Sequence, residues 1–227
     1  MSKPAFLNEA EHKQVSDAVA AAEAESAGEI VTIIAERSDG YTDVAFAWAA
    51  IASFAAMAVF SAIPDFYLER IDWLLGLWGH EWTHRELLGL MLGIGVLKFV
   101  AVMALQLIPA VRFWLIPGRI KTARVHERAV SFFKVGAERR THGRTGVLLY
   151  LSMREHRAEI VADEAIAGIV SAEIWGEAMA DMLEHIRQGR TAEGMIAGVR
   201  DVGAVLAEHF PPTGHDGNEL PDRLIEV

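Results

Sequence analysis

The sequence predicts an α/β fold: an α/β/α sandwich with a mixed sheet, interrupted by a transmembrane helical hairpin. Three observations predict it. Two long apolar runs stand inside the chain, Val44 to Ile63 with no charged residue and Leu87 to Val111 with Lys98 alone. Each is long enough to cross a hydrocarbon core, which takes roughly 20 apolar residues at the helical rise. The flanking segments are polar and periodic, in the order helix, strand, apolar hairpin, helix, strand, strand, helix, helix.

Residues 1–43 form the first part of the soluble domain. Asn8 followed by Glu11 is a capping pair that opens a helix through Val15, Ala18, Val19 and Ala22, stopping near Gly28. Glu29 to Ala35 is short and β-branched, the pattern of a largely buried strand. Ser38-Asp39-Gly40 is a turn. Residues 44–117 are the hairpin with its connection. That connection holds Phe66, Tyr67, Ile71, Trp73, Leu74, Leu77, Trp78 and Trp82, a composition suited to a helix in the headgroup layer. Gly89 and Gly93 give a small-xxx-small spacing in the second run. Small residues let helices approach closely, so the two runs are expected to pack on each other, with homo-oligomerisation through the same glycines as the alternative.

Residues 118–212 complete the soluble domain. A basic helix over 119–140 places Ile120, Ala123, Val130, Phe133 and Ala137 on one face and ends at His142-Gly143. Thr145 to Met153 and Ala158 to Ala162 are two β-forming runs separated by a short polar link, a hairpin pattern. Trp175, Ala178, Met179, Met182, Leu183 and Ile186 mark one helix. Met195, Val199, Val202, Leu206 and Phe210 mark another, stopped by Pro211-Pro212. Residues 213–227 read as a tail.

The chain of 227 residues contains no cysteine, which removes disulfides, thiolate zinc sites and thiol nucleophiles. Its formal net charge of -10 argues against nucleic-acid partners. No cleavable signal peptide is read in the first forty residues. Positive charge concentrates after the second run, where Arg112, Arg119, Lys121, Arg124, Arg128, Lys134, Arg139, Arg140 and Arg144 face only Glu127 and Glu138. The connection between the runs is acidic. Cytoplasmic flanks accumulate Lys and Arg, so the expected arrangement is a two-pass protein of the bacterial inner membrane with both ends in the cytoplasm. Strand pairing requires the same parity: an isolated strand at 29–35 must join the strands after 145, and both parts must share a compartment.

The run Thr145 to Asp163, Thr-Gly-Val-Leu-Leu-Tyr-Leu-Ser-Met-Arg-Glu-His-Arg-Ala-Glu-Ile-Val-Ala-Asp, resembles the paired strands of the TPM domain family. The likeness continues through Glu164-Ala165-Ile166, Trp175, Gly194-Met195-Ile196-Ala197-Gly198-Val199 and His209-Phe210-Pro211, and Gly28-Glu29-Ile30-Val31 fits the family's first strand. It covers about residues 1–40 and 119–212. The resemblance implies a membrane-attached α/β/α sandwich; the role expected for it is binding or membrane-protein quality control and repair, with membrane proteins or lipids as partners. Some members of the family are associated with phosphatase-like activity or metal binding, which makes a metal-dependent phosphatase the competing expectation. Many relatives carry an exported domain with a carboxy-terminal anchor, whereas the apolar runs here are internal.

Two residue sets are candidates for chemistry. Asp39 and Asp43 follow the first strand, and Asp163 and Glu164 follow the last. Converging strand ends would make these a hard-cation site for calcium or magnesium, since such ions take oxygen ligands, and a metal there would support phosphoryl chemistry. His80-Glu81-Trp82-Thr83-His84 is a literal H-E-x-x-H, the zinc-protease pattern in which His80 and His84 would bind metal and Glu81 act as base. Against it, charged Arg85 and Glu86 follow the second histidine, and the apolar run beyond supplies no third ligand. Lys98 within the second run is expected at an inter-helix or oligomer contact, with Gln106 two turns away.

Overall fold

The computed structural model describes residues 6–77, 80–136, 145–212 and 223–227. The expected helix end at residues 137–144, Trp78, and most of the tail (residues 213–222) lie outside them. In chain order the elements are α1 (Glu9–Glu23), β1 (Glu29–Ala35), α2 (Thr42–Ala62), α3 (Pro64–Leu75), α4 (His84–Leu105), α5 (Pro109–Leu115), α6 (Gly118–Gly136), β2 (Gly146–Ser152), β3 (Arg157–Ala162), α7 (Glu164–Ala167), α8 (Ala172–Arg187), α9 (Thr191–His209) and β4 (Ile225–Glu226). They form two compact units, residues 1–39 with 118–227, and residues 40–117.

In the first unit a four-stranded mixed sheet has the order β3-β2-β1-β4. β1 lies parallel to β2 from Glu29 opposite Gly146 to Ala35 opposite Ser152. β3 returns antiparallel, with Val147 opposite Ala162 and Ser152 opposite Arg157. Parallel neighbours need a crossover connection; here it contains α6 and the whole second unit. Side chains alternate across the sheet with period two. Ile30 and Ile34 join Val147, Leu149 and Leu151 in one core with Val15 and Val19 of α1, Met182 of α8, and Met195, Val199, Val202 and Leu206 of α9. Val31, Ile33, Leu148 and Tyr150 form the other core with Val125, Ala129 and Phe133 of α6. The sandwich is therefore asymmetric, with three long helices on one face and one on the other. Burial on both faces explains why β1 and β2 read as continuous β-branched and apolar runs.

Local sequence signals set the helix positions. The Asn8 side chain accepts the Glu11 N–H at 2.9 Å, and the Glu11 carboxylate accepts the Asn8 N–H at 2.8 Å, the reciprocal cap expected for α1. On α9, a Cβ at Gly194 would lie 2.7 Å from the Met182 carbonyl oxygen, so glycine is what lets α9 approach the α8 backbone.

In the second unit α2 and α4 pack together. Gly95 is the contact: a Cβ there would lie 2.8 Å from the Met57 sulfur, and the Ser53 hydroxyl donates to the Gly95 carbonyl at 2.9 Å. Gln106 is buried and donates from its amide to the Ala45 carbonyl at 3.1 Å, whereas Lys98, the residue expected at an inter-helix or oligomer contact, is exposed. The second apolar run differs from its expected extent. The helix begins at His84, ends at Leu105, and α5 starts afresh at Pro109, because proline supplies no amide proton and pushes the preceding residue out of the helical region. The carboxy-terminal residues also differ from the expected tail: residues 225–226 form β4, paired in parallel with Ile33 and Ile34 of β1.

Candidate functional site

The two ends of the sheet carry different polar structures. At the carboxyl end of β1 and β2, where parallel strands commonly open a ligand crevice, four side chains form a buried network. The Ser38 hydroxyl contacts the Tyr150 hydroxyl at 3.1 Å and donates to the Ser152 hydroxyl at 2.9 Å. Ser152 in turn donates to the Glu155 carboxylate at 2.5 Å, whose other oxygen accepts the Ser38 N–H at 3.0 Å. Ser152 is completely buried and Glu155 is 2% exposed. Burial pushes the Tyr150 phenol above its ordinary value, so it remains a neutral hydroxyl here, opposed by the adjacent Ser38 hydrogen bond and the Arg128 charge. Around this network Arg124 pairs with Asp39 at 3.2 Å and Arg154 with Glu36 at 3.1 Å. The turn between β2 and β3 is held in place by Met153 and Arg154 N–H bonds to the Ala35 and Glu36 carbonyls.

None of Ser38, Tyr150, Ser152 or Glu155 is singled out by sequence reasoning. The available signal was the alternation Tyr150, Ser152 closing an otherwise apolar strand on one face, with Glu155 three residues further on.

The opposite end of the sheet holds Asp163. Its carboxylate accepts the Gly146 N–H at 2.9 Å, its own N–H donates to the Gly146 carbonyl at 2.9 Å, and its carbonyl accepts from Ile166 and Ala167. Asp163 is buried and ties the end of β3 to the start of β2. Beside it, a cavity of about 220 Å³ is lined by Val130, Phe133, Lys134, Val161, Ala162 and Glu164.

The expected convergence of carboxylates does not occur within the sandwich. Because β3 runs antiparallel to β2, its end returns to the start of the parallel pair, while Asp39 follows the far end of β1. The seven residues of β1 separate these positions by about 20 Å at the rise of a strand. Asp43 belongs to the other unit, in the first turn of α2. Among the described residues no group of three or more His, Asp or Glu is placed to hold a metal ion.

The zinc-protease pattern is also corrected. His80 to Thr83 are not helical, and His84 is the first residue of α4, so the two histidines do not lie one turn apart on a helix. Thr83 is the N-cap: its N–H donates to the Glu86 carboxylate at 2.9 Å, and its hydroxyl accepts the Glu86 N–H at 3.4 Å. His80 instead stands 3.6 Å from Glu86, with its ring edge-on to Trp82. The Thr83-His84-Arg85-Glu86 capping box was written across the metal motif, and it starts the helix too late for that motif to form.

Residues 117–205, the stretch that contains β2 and β3, match the family model of the TPM domain. In the structure α1 and β1, from before the insertion, belong to the same compact unit as the matched stretch, with β1 paired to β2. The chain is also similar to the NMR structure of the BA42 protein from the psychrophilic bacterium Bizionia argentinensis sp. nov., with a TM-score of 0.56, 19% identity and 100% of each chain covered. At that identity the likeness speaks to the fold. A comparison with curated proteins returned no match. The matched stretch follows two helices that are long and apolar enough to cross a membrane.

Proposed function

We propose that this is a two-pass protein of the bacterial inner membrane whose TPM domain faces the cytoplasm and serves as a binding module in membrane-protein quality control or repair. The observation that carries the reading is the outward surface of the apolar helices. Only 22% of the apolar stretch of α2 and 6% of that of α4 is buried, and Ile51, Phe54, Leu88, Leu92, Leu97 and Val100 are all exposed. Exposed apolar area costs about 25 cal/mol per Å² in water, and lipid removes that cost. β1 and β2 pair across the insertion, so the chain must leave and return on one side. The basic residues after α5 favour the cytoplasm for that side.

Membrane proteins and anionic lipids are the partners this reading supports, the latter through the basic start of α6. Gly89 and Gly93 meet nothing within 4 Å when a Cβ is added, so this stripe is also open to a second copy. A binding role is favoured over hydrolysis because Asp39 and Asp163 occupy opposite ends of the sheet.

The absence of native cysteine makes the test direct. In intact cells, an impermeant thiol reagent is expected to label Glu81→Cys and to spare Glu208→Cys until the membrane is opened; the reverse pattern overturns the orientation. Turnover of p-nitrophenyl phosphate by the purified full-length protein with magnesium or calcium, lost on Asp163→Asn with unchanged folding, would overturn the binding role in favour of a phosphatase.

A further inference from the structure

The outer edge of β1 is occupied by the chain's own residues 224–227, and each of those residues is read separately. Leu224 is buried in the core shared with α1 and α9. Ile225 and Val227 pack on the opposite core, beside Val31 and Ile33. Glu226 meets a cluster of donors: its carboxylate accepts the N–H groups of Phe6 and Leu7, each at 3.1 Å, and lies 2.9 Å from His12 Nε2. The main chain adds bonds of 3.0 Å from the Val227 N–H to the Ile34 carbonyl and from the Glu36 N–H to the Val227 carbonyl. An apolar–apolar–glutamate–apolar segment is thus recognised by side-chain sorting to two faces, a carboxylate clamp and a strand ladder, the components of strand-addition binding.

Two further features show that the resident segment is a modest occupant. Ladder pairing extends over only two positions, Ile33 with Ile225 and Ile34 with Glu226. It also underfills its groove: a cavity of about 210 Å³ remains beside Ile225, bounded by Val31, Ile33, Phe132 and Val135, with Val135 76% exposed. Further toward the start of β1, the Ile30 N–H donates to the Glu23 carboxylate at 2.7 Å.

We propose that this edge is a recognition groove for an extended apolar–aromatic–glutamate–apolar segment of a partner protein, with residues 224–227 as its tethered, weaker occupant. This rests on the binding role proposed above and supplies its partner chemistry. The glutamate satisfies the Phe6, Leu7 and His12 donors, and an aromatic ring at the Ile225 position fills the cavity that isoleucine leaves. A tethered segment competes at the effective concentration that its linker sets, so an untethered peptide has to be better matched or the resident segment weakened.

The test uses the full-length protein in detergent and a fluorescent hexapeptide with the sequence of residues 222–227. Glu226→Gln is expected to bind the peptide about tenfold more tightly than wild type, because the resident competitor has lost its charged hydrogen bonds. Replacing the peptide's own glutamate by glutamine should weaken its binding about tenfold, and replacing its isoleucine by phenylalanine should tighten it about threefold or more. A spin label on Arg223→Cys keeps the test independent of whether Glu226→Gln folds. It should be immobile in the free protein and become mobile when the phenylalanine peptide is added. A label that stays immobile at saturating peptide, or a peptide indifferent to loss of its glutamate, overturns the proposal. So does absence of peptide binding combined with Glu226-dependent co-purification of two differently tagged copies, which would assign the groove to strand exchange between copies. The thiol-labelling and phosphoester results do not depend on this groove, so its failure is distinguishable from failure of the binding role.

Discussion

α9 and α4 are helices of similar length used in opposite ways. α9, with 19 residues, buries eight, among them Gly194, Gly198 and Gly203. α4, with 22 residues and a more apolar sequence, buries only Gly95. In α9 the glycines admit neighbours to van der Waals contact: added Cβ atoms would lie 2.9 Å from Leu149 at Gly198 and 2.6 Å from the Ala22 Cβ at Gly203. In α4 only Gly95 does so, while Gly89 and Gly93 face open space. Apolar content alone therefore does not measure core formation. What separates the two helices is whether apolar residues form a stripe against protein or surround the helix, and a helix apolar all round belongs in a core or in lipid.

This contrast can be challenged by substitution, with thermal unfolding of the full-length protein in detergent as the readout. The largest effect is expected inside the sandwich, at Glu155→Leu. Removing this carboxylate orphans the Ser38 N–H and the Ser152 hydroxyl and should cost about 2–4 kcal/mol. Gly194→Ala comes next, at about 1–3 kcal/mol, because the methyl meets the Met182 carbonyl and the Ile186 side chain. Gly89→Ala is its control in α4 and should change stability by no more than about 0.5 kcal/mol. Equal losses at Gly194 and Gly89 would erase the distinction between the helices. In the apolar pair, Ser53→Ala removes the hydrogen bond to Gly95 and should cost about 0.5–1 kcal/mol.

The smallest effect is a pH dependence at Asp201 of α9. Burial, helped by the charge of Asp181, raises the Asp201 carboxyl above its usual value of 3.8. The folded state then holds this proton more tightly than the unfolded chain, so the contribution of Asp201 falls as pH rises from about 3.8 through the raised value. Asp201→Asn should therefore raise the melting temperature slightly at about pH 7 and leave it unchanged near pH 3. A stabilisation that is equal at both pH values would show that the gain does not come from ionisation.

Much of the fold was legible in local sequence. The β-branched run Glu29 to Ala35 matches β1 residue for residue, and Asn8 with Glu11 marks the start of α1, because strand burial and capping depend on neighbours in the chain. The short strand at residues 225–226 was not legible, since two residues carry no period and owe their conformation to the β1 edge and the Glu226 clamp. The candidate site was less accessible still. Asp39 and Asp163 both follow strands, but only the antiparallel return of β3 sends them to opposite ends of the sheet. His80 and His84 have a metal-binding spacing, yet the helix that would align them begins at the second histidine.

By itself the sequence determined the alternation of helices and strands, the two apolar runs and the basic flank, because periodicity, capping and charge are written over a few neighbouring residues. Tertiary structure alone decided which carboxylates meet, which glycines are packed and which strand edge the carboxy-terminal residues occupy. Those outcomes depend on strand direction and on contacts between residues as distant as Phe6 and Glu226, and no local pattern encodes them.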